Sequence, residues 1–214
     1  TVNFSEAVSL SSGGSMTVTL ETGSNDQIVS ITSISSATSA SGTYTVAAGD
    51  ESSDLTVKSI AVSGTISDAT DQAMVDFSIG TNLASSKAIV VDALSPTVAS
   101  VKSTSTNTTY GTGASINITV NFSESVTLSS SSSMTVYLNS ATDRTVSITS
   151  ISSDTSASGT YTVVEGDASS DLSVDSIRVS SGASLNDAAG NAMAVFTIPS
   201  GSNLSDNNAI VINT

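Results

Sequence analysis

Cysteine is absent from this 214-residue chain, so no disulfide framework exists and thiols give no sign of the redox compartment. Histidine is absent too, which removes the commonest general base and the imidazole metal ligand. The many serines therefore have no conventional partner to activate them, and the carboxylate pairs fall in repeated turns rather than in one cleft. The sequence argues against an enzyme. Positive charge is scarce: five Lys and Arg stand against nineteen Asp and Glu, a net charge of −14. That balance opposes nucleic acid and anionic membrane surfaces, and makes a cation the natural charged partner. No apolar run approaches the roughly 18 residues of a membrane span, so no membrane insertion is expected. Residue 1 already lies in an alternating pattern rather than in a signal peptide, as in a processed or excised product.

Aromatic residues make up only 4 % of the chain and tryptophan is missing. What is present is Ser and Thr in quantity, with Val and Ile supplying most of the apolar mass, a usage that favours strands over helices. Ser, Thr and Gly interrupt every apolar stretch, and no window sustains a 3.6-residue period.

Self-similarity organises the chain. Thr1-Val-Asn-Phe-Ser-Glu6 recurs as Thr119-Val-Asn-Phe-Ser-Glu124, and Ser41-Gly-Thr-Tyr-Thr-Val46 as Ser158-Gly-Thr-Tyr-Thr-Val163. Gly49-Asp50 with Asp54-Leu55 matches Gly166-Asp167 with Asp171-Leu172, and Ala88-Ile-Val90 matches Ala209-Ile-Val211. Two copies of one fold are expected, residues 1–93 and 94–214, joined near Asp92-Ala-Leu-Ser-Pro96, where Pro96 biases Ser95 toward extended backbone.

The strand pattern is clearest in the second copy. Ile116, Ile118, Val120 and Phe122 alternate with Asn117, Thr119, Asn121 and Ser123, which turns one face to a core and the other to water. Parity changes between Val174 and Ile177, and among Leu55, Val57, Ile60 and Val62, which predicts a bulge or a sheet-switching bend. Seven or eight short strands per copy predict an all-β chain of two tandem Ig-like Greek-key β-sandwich domains. The first copy lacks the equivalent of Thr97 to Thr119 and with it an N-terminal edge strand. Two readings follow: a chain boundary cuts the segment off, or an adjacent subunit fills the gap by β-addition and polymerises the protein.

Tyr110-Gly-Thr-Gly113, the run Ile116 to Glu124, the Gly166-Asp167 and Asp171-Leu172 pairs and Asn186-Asp-Ala-Ala-Gly-Asn191 together resemble the bacterial Ig-like, or cadherin-like, repeats of large surface adhesins and extracellular filament proteins. The resemblance implies a stalk, spacer or adhesive unit, often stiffened by Ca²⁺, exported to the cell surface. The first copy departs from it at Asp68-Ala-Thr-Asp71-Gln72, where the equivalent of Gly190 is missing.

Hard-cation binding suits the acidic turns, because Ca²⁺ takes six to eight oxygen ligands from carboxylates, Asn side chains and carbonyls. The candidate ligands are Asp50 and Asp54, Asp68, Asp167 and Asp171, and Asp187 with Asn191, while Glu6, Asp92 and Glu124 are expected to meet near the joint. The competing reading is that Asp50 and Asp167 close Gly-Asp turns and Asp54 and Asp171 cap strand starts. Neighbouring copies or repeats of the same protein are the expected partners; a glycan or cell-surface target is the alternative, for which Tyr44, Tyr110, Tyr137 and Tyr161 are the available aromatic platforms. Asn3, Asn107, Asn117, Asn121 and Asn203 open Asn-x-Ser/Thr sequons, which chance alone supplies in so Ser/Thr-rich a chain.

Overall fold

The computed structural model describes residues 1–141 and 144–214. Packing divides the chain into two compact units, Thr1–Leu94 and Ser95–Thr214. Both are all-β and sandwich-like.

Unit 2 contains β9 (Val98–Lys102), β10 (Thr109–Tyr110), β11 (Ser115–Leu128), β12 (Met134–Asn139), β13 (Arg144–Ile148), β14 (Asp154–Thr162), β15 (Ala168–Ser169), β16 (Ser173–Val179), β17 (Leu185–Asn186) and β18 (Val211–Asn213), with one helical turn, α1 (Leu204–Asn207). The long β11 pairs antiparallel with β14 on one edge and with β9 and then β17 elsewhere, while β12 sits between β13 and β16. A third small sheet runs β10-β18-β15, with β10 parallel to β18. The alternation seen in the sequence is the cause of the layering. Ile116, Ile118, Val120 and Phe122 from β11, Met134, Val136 and Leu138 from β12, and Val174 and Ile177 from β16 all point into one continuous apolar cluster. Each such aliphatic side chain contributes about 1.5–3 kcal/mol when fully buried.

Unit 1 repeats the plan with β1 (Val2–Leu10), β2 (Ser15–Glu21), β3 (Gln27–Ile31), β4 (Ala37–Ala40), β5 (Glu51–Ser52), β6 (Thr56–Ser63), β7 (Ile66–Ser67) and β8 (Val91–Asp92), plus a 3₁₀ turn at Leu83–Ser85. Its sheets run β4-β1-β7, β3-β2-β6 and β5-β8. The predicted parity change is a bulge in both units. Thr19 faces Ser59 while Leu20 faces Val57, skipping Lys58, and Tyr137 faces Ser176 while Leu138 faces Val174, skipping Asp175.

The turn after β7 corrects one expectation. Asp68-Ala-Thr-Asp71-Gln72 keeps the geometry of Asp187-Ala-Ala-Gly190-Asn191 although it lacks the glycine: Asp71 takes φ +62° where Gly190 takes +95°. Aspartate is among the few residues that tolerate this left-handed region. The backbone N–H of Asp68 donates to Gln72 O, as that of Asp187 does to Asn191 O, and the bridges Ser67–Ala73 and Asn186–Ala192 follow in register.

The core of unit 1 differs. It is split into two clusters, one around Val8, Met16, Ile31 and Ile66 and the other around Val18, Leu20, Leu55 and Val91.

Candidate functional site

Polar side chains that recur in both units explain how each sandwich is held. After the β14 segment the chain turns through Gly166, at φ +88°, and delivers Asp167 into the interior, fully buried. Its Oδ2 accepts hydrogen bonds from the Tyr161 hydroxyl at 2.6 Å and the Val164 N–H at 2.9 Å, and its Oδ1 accepts from Arg144 Nε at 2.7 Å. Unit 1 builds the same node: Asp50 accepts from the Tyr44 hydroxyl at 2.6 Å, the Ala47 N–H at 2.8 Å and Gln27 Nε2 at 2.9 Å. A buried carboxylate needs such donors, and three of them hold the turn to two strands at once. Burial, then the hydrogen bond to Asp50, pushes the Tyr44 phenol up to about 12, and the same two causes raise Tyr161. The Tyr44 hydrogen bond, then the Ala47 N–H, holds Asp50 below its ordinary value. These two aspartates, expected among the calcium ligands, have their oxygens turned inward onto donors. That geometry fixes a turn and does not present a carboxylate to a cation from solvent.

A second recurring device was not read from the sequence. Asn203 Oδ1 accepts from the N–H groups of Val174 and Leu204, and its Nδ2 donates to Val174 O, clamping the loop before α1 onto β16. Asn82 does the same to Val57 and Leu83. The signal was there: Asn-Leu recurs at 82–83 and 203–204 with Ile and Val at fixed distance beyond it. Asn203 is thus spent on the fold, which removes it as a sequon acceptor in the folded state.

The remaining acidic candidates fall in separate places. Asp68 accepts from the Gln72 N–H at 2.9 Å and from the Thr70 N–H and hydroxyl at 2.8 Å, which lowers its carboxyl below the usual range, the Gln72 bond contributing most. Asp187 is buried and accepts from the Asn191 N–H and Nδ2, both at 2.8 Å. Asp54 and Asp171 are exposed just ahead of β6 and β16. Asp92 is exposed in β8 and accepts from the Leu94 N–H at 3.3 Å. Glu6 and Glu124 occupy the equivalent irregular stretches of β1 and β11. Within unit 2 a carboxylate oxygen of Glu124 lies within 4.8 Å of one of Asp187. Among the described residues neither unit by itself gathers three carboxylates at one point.

The tyrosines offered as platforms are mostly engaged. Tyr44 and Tyr161 point inward onto their aspartates, Tyr110 donates its hydroxyl to Thr106 O, and Arg178 lies 5.3 Å above the Tyr137 ring.

The open feature of the molecule lies in unit 1. A groove of about 810 Å³ exposes its interior between Phe4, Val18, Val29, Tyr44, Val57 and Leu83. Residues that close the core of unit 2 are uncovered here: Val46 is 51 % exposed against 0 % for Val163, and Ile89 37 % against 0 % for Ile210.

Comparison with known proteins adds no relative: no family model, no curated protein and no solved structure matches the chain.

Proposed function

We propose that the chain is a non-catalytic structural module, two Ig-like Greek-key sandwiches in tandem, serving as stalk, spacer or fibre subunit of an extracellular surface adhesin or filament. The observation that supports this reading is the destination of the repeated polar side chains. Tyr44 and Tyr161, Asp50 and Asp167, Asn82 and Asn203, and Asp68 and Asp187 are each spent on fixing a turn or loop, and each does the same in both units. A catalytic site needs a nucleophile or base held within reach of a pocket, whereas these groups are consumed by the scaffold. Doubling one scaffold, with no specialised residue in either copy, suits a part whose product is length and mechanical resistance.

Its partners in this reading are neighbouring copies or repeats of the same protein. Calcium enters it through the Glu124–Asp187 pair, because two carboxylates this close repel until a cation neutralises them. Matching melting curves of unit 2 in calcium and in chelator would remove the ion from the proposal.

Electron microscopy of the purified protein together with end-to-end pulling of single molecules tests the mechanical role. Rods or fibres, and two discrete unfolding steps at forces far above those that stretch a random coil, are expected. Extension without resistance would end the proposal. Specific binding in a glycan array would instead favour an adhesive tip module.

A further inference from the structure

The groove of unit 1 has a known filling, because unit 2 shows what occupies the same place. There, the segment Ser95–Ile118 does three jobs. Its β9 pairs with β11 through Lys102–Thr119, Val101–Val120, Ser100–Asn121 and Val98–Phe122, and buries Val98 and Val101 to 1 % and 0 % exposure. Its β10 runs parallel to β18, and the Gly113 N–H donates to Val163 O while the Val163 N–H donates to Ala114 O. Its last four residues, Ser115 to Ile118, are the first part of β11 and pair with Thr162, Tyr161, Thr160 and Gly159.

Unit 1 carries the matching edges with nothing on them. The outer edge of Val2–Phe4, equivalent to Val120–Phe122, is unpaired, since β1 pairs only with β4 and β7. β4 stops at Ala40 where β14 continues to Thr162, so Ser41–Thr45 has no ladder. Val46, Ile89 and Val90 stand 51 %, 37 % and 71 % exposed where their equivalents pack on the 108–114 stretch. A single strand laid along β1 covers one of these edges and leaves two, so donation of one strand from the side does not complete the unit. A second copy of residues 1–214 gains nothing either. Its one Ser95–Ile118 segment already closes its own unit 2, and lending it opens one groove to fill another.

The polarity of the edges settles how a filling must arrive. Ile118 leads straight into Thr119, whose equivalent is Thr1. We infer that the groove of unit 1 is filled by a segment of the Ser95–Ile118 type, lying outside residues 1–214, that enters in line with β1 so that its carboxyl end abuts Thr1. It is an extended polypeptide of about 24 residues, by the length of its counterpart, with small aliphatic side chains three apart at the places of Val98 and Val101. One difference shapes it. In unit 2, Asn207 and Asn208 pin β9 by donating to Val101 O and Ser103 O, and unit 1 has Ser86 and Lys87 at those places. The filling of unit 1 is therefore held by backbone ladders and apolar burial more than by side-chain clamps.

This inference rests on reading both units as copies of one fold, and it stands apart from the mechanical proposal, which pulling experiments can refute with the groove filled or empty. The test joins the sequence Ser95–Ile118 to Thr1 of the full chain and follows amide hydrogen exchange, with unit 2 as internal control. Amides of Thr43–Val46, Ile89 and Val90 are expected to exchange at least about tenfold more slowly. A fused segment carrying Val98→Asp and Val101→Asp should lose that protection, and the same 24 residues added as a free peptide at equal concentration should give less of it. Unchanged exchange in the fusion overturns the inference, as does a free peptide that protects as well as the fused one.

Discussion

Tyr161 and Asp167, six residues apart, are joined by a 2.6 Å hydrogen bond from the phenol to Oδ2 inside the core of unit 2, and the Tyr44–Asp50 pair repeats it at the same length in unit 1. The aspartate also receives a backbone N–H and a side chain from the start of the neighbouring strand, so one carboxylate ties three segments together. Replacing Asp167 by Ala strands a phenol, an N–H and a guanidinium around a buried hole, and should cost unit 2 about 3–5 kcal/mol. Tyr161→Phe removes one donor from an otherwise intact node and should cost about 1–2 kcal/mol. Denaturant midpoints measure both. A loss below about 1 kcal/mol for Asp167→Ala would show that the node is dispensable.

The unit 1 node makes stability depend on pH at both extremes. Asp50 has its folded value held below the ordinary 3.8, so its contribution is complete above that value and is lost as pH falls through the folded one. Tyr44 is raised from 10.0 to about 12, so its contribution is complete below pH 10 and is lost as pH climbs through about 12. Thermal melting of unit 1 should therefore fall off below pH 4 and above pH 10. Tyr44→Phe should flatten the alkaline limb. An alkaline limb of unchanged depth in that variant would assign it to other groups.

Much of this architecture was legible in the sequence because hydrophobic alternation reports directly which side chains face a core. Ile116 to Phe122 and Met134 to Leu138 are buried as their period-2 spacing requires, and even the bulges at Lys58 and Asp175 left a trace as a change of parity. The role of Asp50 and Asp167 was half legible. Gly-Asp marks a turn, but the direction of the carboxylate depends on a tyrosine six residues earlier, and spacing along a chain does not say that two side chains meet. The groove was read as one missing strand. Periodicity cannot tell which sheet a strand joins, and the absent segment serves both sheets, so three edges are open rather than one.

Position 144 gives a narrower prediction. Arg144 Nε and Gln27 Nε2 donate to the same oxygen of equivalent aspartates, at 2.7 and 2.9 Å, so a neutral amide already does in unit 1 what a guanidinium does in unit 2. Arg144→Gln should cost unit 2 less than about 1 kcal/mol, while Arg144→Ala, which leaves Oδ1 of Asp167 without this donor, should cost about 1.5–3 kcal/mol. Equal losses in the two variants would mean that the positive charge, not the hydrogen bond, is what unit 2 requires.

Glycines 42 and 159 probe the difference between the two cores. Each lies in the repeated Ser-Gly-Thr-Tyr run, where the backbone passes so close to the facing strand that a Cβ at 159 would strike Cγ1 of Val146 and one at 42 would strike Cγ1 of Val29. The local geometry is the same, but the surroundings are not. Val146 is 2 % exposed in a closed core, whereas Val29 is half-buried and lines the groove. Overpacking costs about 1–3 kcal/mol where neighbours cannot move, and less where a side chain has space to turn into. Gly159→Ala should therefore destabilise unit 2 by that amount, and Gly42→Ala should destabilise unit 1 by clearly less, read as the change in hydrogen-exchange protection of each unit. Joining Ser95–Ile118 to Thr1 should erase the difference, because a filled groove takes away the space into which Val29 turns. A Gly42→Ala penalty that is already as large without the added segment would mean that the walls of the groove are as rigid as a packed interior.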